Sequence, residues 1–295
     1  MNLLLSSDQE DLRDGIRALC NGRFSMDRVR GGFDAEVWKE LAAAGVFTTR
    51  QLDLGVADAA VVFEELGRAL VPGPLVWGWL NDRDDVVATG VERNDPTAEH
   101  FALAGTLLVM DADGLWEVDP STVTAEERPE QLDPLTPVHR LDNVGQGERR
   151  GDPMRLEAAT VTAAQLVGIA AACTDAAVAY AKERQQFDKP IGSFQAVKHI
   201  CADMFVRADT ARAAVHSAAA ALDDPGSADE VRAVASAKLL AAQAAIANAR
   251  SSLQVHGGMG FTWEVDVHLY LKRAWLLEKV FGGQAEHADV IAGKL

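Results

Sequence analysis

Three alanine-rich segments fix most of what this chain can fold into: AATVTAAQLVGIAAACTDAAVAYAKERQQF, FQAVKHICADMFVRADTARAAVHSAAAALDD and SADEVRAVASAKLLAAQAAIANARSSLQVHGG. Alanine is the strongest helix former, and its small side chain lets helix axes approach closely. Three long helices joined by short turns predict an antiparallel bundle over residues 152–295. So much alanine also predicts a face that packs against another subunit.

The segments before the bundle have a different texture. From residue 1 to about 80 the pattern is helical. Ser7 is a plausible N-cap with Glu10 three residues on, followed by Leu12, Ile16 and Leu19 at helical spacing. A second helix is expected over AEVWKELAAAG, stopped by Gly45, and a third over DAAVVFEELGRAL, stopped by Pro72-Gly73-Pro74. Between residues 81 and 151 short apolar runs, FALAGTLLVM and LWEV, alternate with Asp, Gly and Pro, which predicts a small β insert. The fold class expected is mainly α with that insert.

Charge and cysteine content exclude several function classes. Acidic residues outnumber basic ones 44 to 28, a formal charge of −16, so association with nucleic acid or anionic lipid is electrostatically unfavourable. Cys20, Cys173 and Cys201 are odd in number and lack paired spacing, and they read as core thiols in a reducing compartment. MNLLLSSDQEDLRDG turns acidic too soon for a secretory signal, and no run predicts a membrane span, so the expected location is cytoplasmic. His199 and His256 lack acidic or cysteine neighbours at ligand spacing and predict no metal site.

AYAKERQQFDKPIGSFQAVKHICADM and LQVHGGMGFTWEVDVHLYLKRAW, together with FEELGRALVPGPL near the start, resemble the acyl-CoA dehydrogenase family of flavoproteins. The likeness is loose over the whole chain and tight from about Leu166 to Lys272. It implies an N-terminal helical domain (1–80), a reduced middle β domain (81–151) and a C-terminal four-helix bundle (152–295) with FAD at a subunit interface. It also implies that Arg184, Gln186, Phe187, Ile191, Phe194, Gln195, Gln254, Gly257 and Gly258 serve that cofactor. Their chemistry agrees. An arginine meets a pyrophosphate with a planar, permanently charged fork, Phe187 can pack on the adenosine half, and Gln195 and Gln254 offer amides to ribose or ring edges. Gly257 and Gly258 allow close backbone approach. Taken singly, an Arg and a Phe at a helix end are more often a terminal charge and a core aromatic.

The chain departs from the family in two places. Ordinary members are longer, mainly in the β domain that covers the flavin ring, although LDPLTPVHRLDNV looks like the Asp-Pro-x-Thr stretch at that domain's end. The family's usual catalytic glutamate lies in a Tyr-Glu-Gly-Thr segment, and the matching stretch here, Lys279-Val280-Phe281-Gly282-Gly283-Gln284, has no carboxylate. Some members carry the base on the first bundle helix, where Ala158 aligns beside Glu157; Glu278 and Glu286 are weaker candidates. Three readings stay open. The first is a subunit of a heterotetrameric (α2β2) enzyme for a bulky acyl-CoA such as a steroid side-chain thioester, with a homologous partner supplying the base. The second is a homomeric enzyme using Glu157, and the third a structural paralogue without activity.

Overall fold

A computed structural model describes residues 4–293. Helix α1 (Ser7–Arg23) starts one residue earlier than the sequence predicts. Ser6 is its N-cap, and Gln9 rather than Glu10 closes the capping box, since its side chain returns to the Ser6 N–H at 3.1 Å. Helices α2 (Met26–Arg30), α3 (Ala35–Ala43) and α4 (Val56–Arg68) follow. α4 ends before Pro72, because Leu70 takes a left-handed φ of 51°. The segment after the Pro-Gly-Pro is itself helical, α5 (Leu75–Asn81), which the sequence reading missed. Its apolar LVWGWL is buried all round, so it carries no amphipathic period to detect.

The insert forms two small sheets. β1 (Ala88–Glu92), β3 (Thr106–Met110), β4 (Leu115–Val118) and β7 (Glu148–Gly151) make one, in the order β1-β3-β4-β7 with β1 parallel to β3. β2 (Thr97–Glu99), β6 (Val138–Asp142) and β5 (Thr124–Glu127) make the other. The predicted strand over FALAGTLLVM begins only at Thr106, after a short 3₁₀ turn at Phe101–Leu103.

The bundle is built on α6 (Arg155–Glu183), α7 (Gln195–Asp223) and α8 (Glu230–His256), with α9 (Val267–Lys279) against α8 and α6, and α10 (Gln284–Ala292) against α8. α6 is long and apolar enough to pass for a membrane span, contrary to the sequence expectation. However, 83% of that window is buried among the protein's own elements. α4 crosses α6 backbone to backbone: a Cβ on Gly168 would lie 1.9 Å from the Glu64 carbonyl oxygen, and one on Gly67 would lie 2.2 Å from that of Gln165. Gly55 offers no capping side chain, so the Asp223 carboxylate at the end of α7 accepts from the Val56 and Ala57 N–H groups instead.

One amide ties the three long helices together. Asn248 Nδ2 donates to the carbonyls of Ala170 on α6 and Met204 on α7 and to Thr174 Oγ1, at 3.2, 2.8 and 3.2 Å. Its Oδ1 accepts from Arg207 at 2.8 Å, so Arg207 belongs to a buried polar knot. Cys20 and Cys173 are core thiols, pushed up by burial, whereas Cys201 is only half-buried.

Candidate functional site

The residues singled out in ERQQFDKPIGSFQ come together at one end of the bundle. α6 stops at Glu183, and β8 (Gln185–Gln186) pairs with β9 (Lys189–Pro190) around a two-residue turn. Phe187 (φ 55°) and Asp188 (φ 60°) are both left-handed, which defines a type I′ hairpin. That conformation is costly for an aromatic residue, and it leaves Phe187 85% exposed. Its ring meets Phe194 edge-on at 6.1 Å, and Lys189 Nζ lies 4.5 Å over the Phe194 ring. Ile191 donates its N–H to the Arg184 carbonyl at 2.8 Å, closing the hairpin base. Gly192 presses on Ala181, where a Cβ would come within 2.9 Å of the carbonyl oxygen.

The glycine loop lies beside this hairpin. α8 ends at Gly257, in a left-handed φ of 64°, and a 3₁₀ turn runs through Phe261. His256 is buried, bonds the Ser252 carbonyl at 2.8 Å and stacks on Tyr180 of α6 at 4.2 Å, which fixes the loop to the helix that carries Arg184. Gly257 and Gly258 border open space. The Gly257 N–H is already donated to the Gln254 carbonyl, so openness rather than that donor is what Gly257 offers a ligand. Arg184, Gln186, Gln195 and Gln254 are exposed, and the Arg184 guanidinium has no hydrogen-bond or ion-pair partner among the described residues. An unpaired arginine, exposed amides, an outward aromatic and a loop without side chains fit an anionic dinucleotide. His199 is exposed beside Gln195, and among the described residues no three His, Cys, Asp or Glu side chains gather as metal ligands.

The other end of α6 is closed. Arg155 is held between Glu92 and Glu286, with Glu286 at 2.7 Å. Lys238, buried on α8, donates to the carbonyls of Leu277, Glu278 and Gly282 at 3.0 to 3.1 Å, and burial pushes its amine down to about 7. Glu278 caps α10 by accepting from the Gln284 N–H and pairs with Lys279 at 3.0 Å. At the family's glutamate position, Gly282 has φ 99°, and a Cβ there would lie 2.7 Å from His287 Nε2. Glu157 is half-buried; burial pushes its carboxyl up, while the nearby Arg50 pulls it down and Glu230 adds to the rise. It stands about 200° around the helix from Arg155, facing Arg50 rather than the α9–α10 turn.

The sequence reading named the Asp-Pro-x-Thr stretch but not what its acid meets, and it missed Lys238 and Glu99 at this end. Asp133, of the Asp-Pro-x-Thr stretch, is fully buried and pairs with the buried Arg273 of α9, which also donates to the Val71 carbonyl at 3.0 Å. Lys238 was findable as the only charge within an apolar stretch of α8. Glu99 gave no signal at all, because only the tertiary packing shows what surrounds it.

Residues 156–295 match the acyl-CoA dehydrogenase C-terminal domain. The acyl-CoA dehydrogenase IpdE2 of Mycolicibacterium smegmatis is 36% identical over 92% of this chain and 93% of its own. Among solved structures, the ChsE4-ChsE5 complex from Mycobacterium tuberculosis superposes with a TM-score of 0.84 at 20% identity, covering 100% of this chain and 98% of that one. The Tcur3481-Tcur3483 steroid ACAD superposes at 0.81 with 22% identity, covering 97% and 98%. A Mycobacterium smegmatis glutaryl-CoA dehydrogenase in complex with FADH2 superposes at 0.81 with 17% identity, covering 98% and 95%. Together with the hairpin and glycine loop, the near full-length identity to IpdE2 means that this chain belongs to the acyl-CoA dehydrogenase family of oxidoreductases.

Proposed function

We propose that this chain is one subunit of an FAD-dependent acyl-CoA dehydrogenase that acts on a bulky acyl-CoA, a steroid side-chain thioester in the first instance. It works in the cytoplasm with a homologous partner in an α2β2 assembly. The observation that carries the reading is the placement of Arg184. It stands exposed and unpaired about 40 Å along α6 from Glu157, farther than one dinucleotide reaches. The hairpin end therefore serves a cofactor whose reactive half lies in another chain. Two-subunit neighbours support the same arrangement, since ChsE4-ChsE5 is a complex and the steroid ACAD carries two chain names.

In this arrangement Arg184 binds the pyrophosphate, Phe187 and Phe194 cover the adenosine half, and Gln195 and Gln254 orient it through their amides. Gly257 and Gly258 leave room for the partner chain to approach. When bound, FAD supplies the hydride acceptor for α,β-dehydrogenation. Removal of the α proton falls to the partner, because Gly282 has no carboxylate, and Glu278 and Glu286 are engaged with Lys279 and Arg155.

Titrating FAD into the apo-complex tests the assignment. Arg184→Ala should weaken binding by about one to two decades, the worth of a charge-assisted contact. Arg184→Lys should recover part of that loss, and Arg128→Ala, an exposed arginine of the β region, should change nothing. Equal affinity for wild type and Arg184→Ala would overturn the reading. Flavin counting adds a second check: one FAD per heterodimer is expected, and a yellow homomer with one per chain contradicts it. Glu157→Gln should leave turnover of the complex within a few-fold, whereas loss of a true base costs about 10²–10⁴.

A further inference from the structure

Where the C-terminal end of α5 meets β3, β4 and the start of α6 lies a cavity of about 310 Å³. Leu108, Leu115 and Met154 form its apolar side, and Asn81, Asp82 and Arg150 its polar side. Asn81 is the last residue of α5 and only 2% exposed, yet neither Oδ1 nor Nδ2 of its amide has a hydrogen-bond partner among the described residues. The next residue repeats the pattern. Asp82 closes the helix in a left-handed φ of 52°, its Oδ2 lies 3.9 Å from Arg50 Nε, and its Oδ1 is buried without a partner among the described residues. The helix end is not free to turn these groups outward. Arg50 donates to the Trp79 and Leu80 carbonyls at 2.8 and 3.1 Å, and its guanidinium sits 4.8 Å over the Trp79 ring. Two successive residues thus line one space with buried polar atoms whose hydrogen bonds are unmade, and such atoms are costly to the fold unless something else pairs with them.

We infer that this cavity binds a small planar molecule through a primary carboxamide. Asn81 needs an acceptor for Nδ2 and a donor for Oδ1, and Asp82 Oδ1 needs a second donor. A primary carboxamide supplies one carbonyl and two N–H bonds, which balances that set. Its pairing with Asn81 forms whichever way that amide is turned, since both groups carry a donor and an acceptor side by side. A carboxylate brings no donor and meets the Asp82 charge, and an ammonium brings no acceptor. A trans secondary amide fails as well, because its N–H points away from its carbonyl. The body of the ligand lies against Leu108 and Leu115, and Arg150, paired with Glu117, offers a planar guanidinium to the face of an aromatic ring. The site shares no residue with the hairpin, the glycine loop or the α9–α10 turn, so its test and the FAD titration succeed or fail separately.

Calorimetric titration of the full chain with benzamide, N-methylbenzamide, N,N-dimethylbenzamide and benzoate decides the matter. Benzamide should bind saturably, and about tenfold or more tighter than each of the other probes. Asn81→Leu should erase that preference. Asp82→Asn keeps an acceptor and tolerates the left-handed turn but removes the charge, so benzoate should gain on benzamide several-fold. Leu115→Ala should weaken all the probes by a similar factor. Absence of saturable benzamide binding, equal wild-type affinity for benzamide and N-methylbenzamide, or an unchanged preference in Asn81→Leu would overturn the inference and leave a cavity that holds only water. The comparison of probes on the wild-type chain requires no variant to fold.

Discussion

At the C-terminal end of α6, Arg184, Phe187 and Gln195 project into solvent from a hairpin whose two turn residues are both left-handed. At its N-terminal end, Arg155, Lys238, Glu278 and Arg273 are all paired or capped, and most of them are buried. One helix thus joins a surface whose arginine is free to a core whose charged groups are paired, with the Arg273 Nη2 left over. Interior polar groups must find partners within the fold, because an unpaired one costs more than a hydrogen bond returns. A projecting group escapes that demand, and its conformation can be set by what it is to meet. The difference separates residues that maintain the chain from residues the fold does not itself use.

The contrast breaks if the closed end proves dispensable. Arg273→Met strands Asp133, and removing one member of a buried pair typically costs about 3–5 kcal/mol; urea denaturation should show a loss of that size, while Arg184→Ala leaves the midpoint unmoved. Gly168→Ala should cost about 2–3 kcal/mol by forcing α4 off α6, against almost nothing for Gly258→Ala, whose Cβ meets open space. A small effect at Gly168 would mean that the helices slide apart freely.

Acidity sharpens the comparison further. Burial pushes the Glu99 carboxyl up to about 7 from an ordinary 4.5, while Arg273 pulls it back and Asp133 adds to the rise. A carboxyl raised on folding contributes stability below its unfolded value and loses it as pH rises through the folded one. Glu99→Gln should therefore match wild type at about pH 4 and exceed it by about 1–2 kcal/mol at pH 8, a difference read from paired denaturation curves. A constant offset across that range would show that Glu99 is solvated. The smallest effect belongs to the hairpin. Phe187→Asn should raise the stability of the isolated chain by about 0.5–1 kcal/mol, because asparagine tolerates the left-handed region better, while FAD affinity falls. No gain would mean that the turn carries no strain.

The sequence exposed the projecting end far better than the closed one. The hairpin residues are contiguous in the chain and occur in a recognisable order, so Arg184 through Gln195 could be named without a structure. Helix existence was legible for the same local reason, through alanine content and period. The closed end is assembled from Glu92, Asp133, Arg155, Lys238 and Arg273, which lie far apart in sequence and meet only when the strands dock on the bundle. α5 was lost because a segment buried on every side shows no period. Asp223 capping α4 was invisible because the cap comes from 167 residues away.

Where α4 and α6 touch main chain to main chain, evolutionary drift has no compensating move. A core leucine can grow when its neighbour shrinks, but Gly67 and Gly168 face carbonyl and amide atoms that no substitution can trim. The two positions are coupled to the backbone itself and not to one another's side chains. In a mutational library they would stand out as columns admitting one residue. A lineage that lost either glycine would have to move a whole helix to recover, so the crossing acts as a ratchet that holds the N-terminal helices to the bundle.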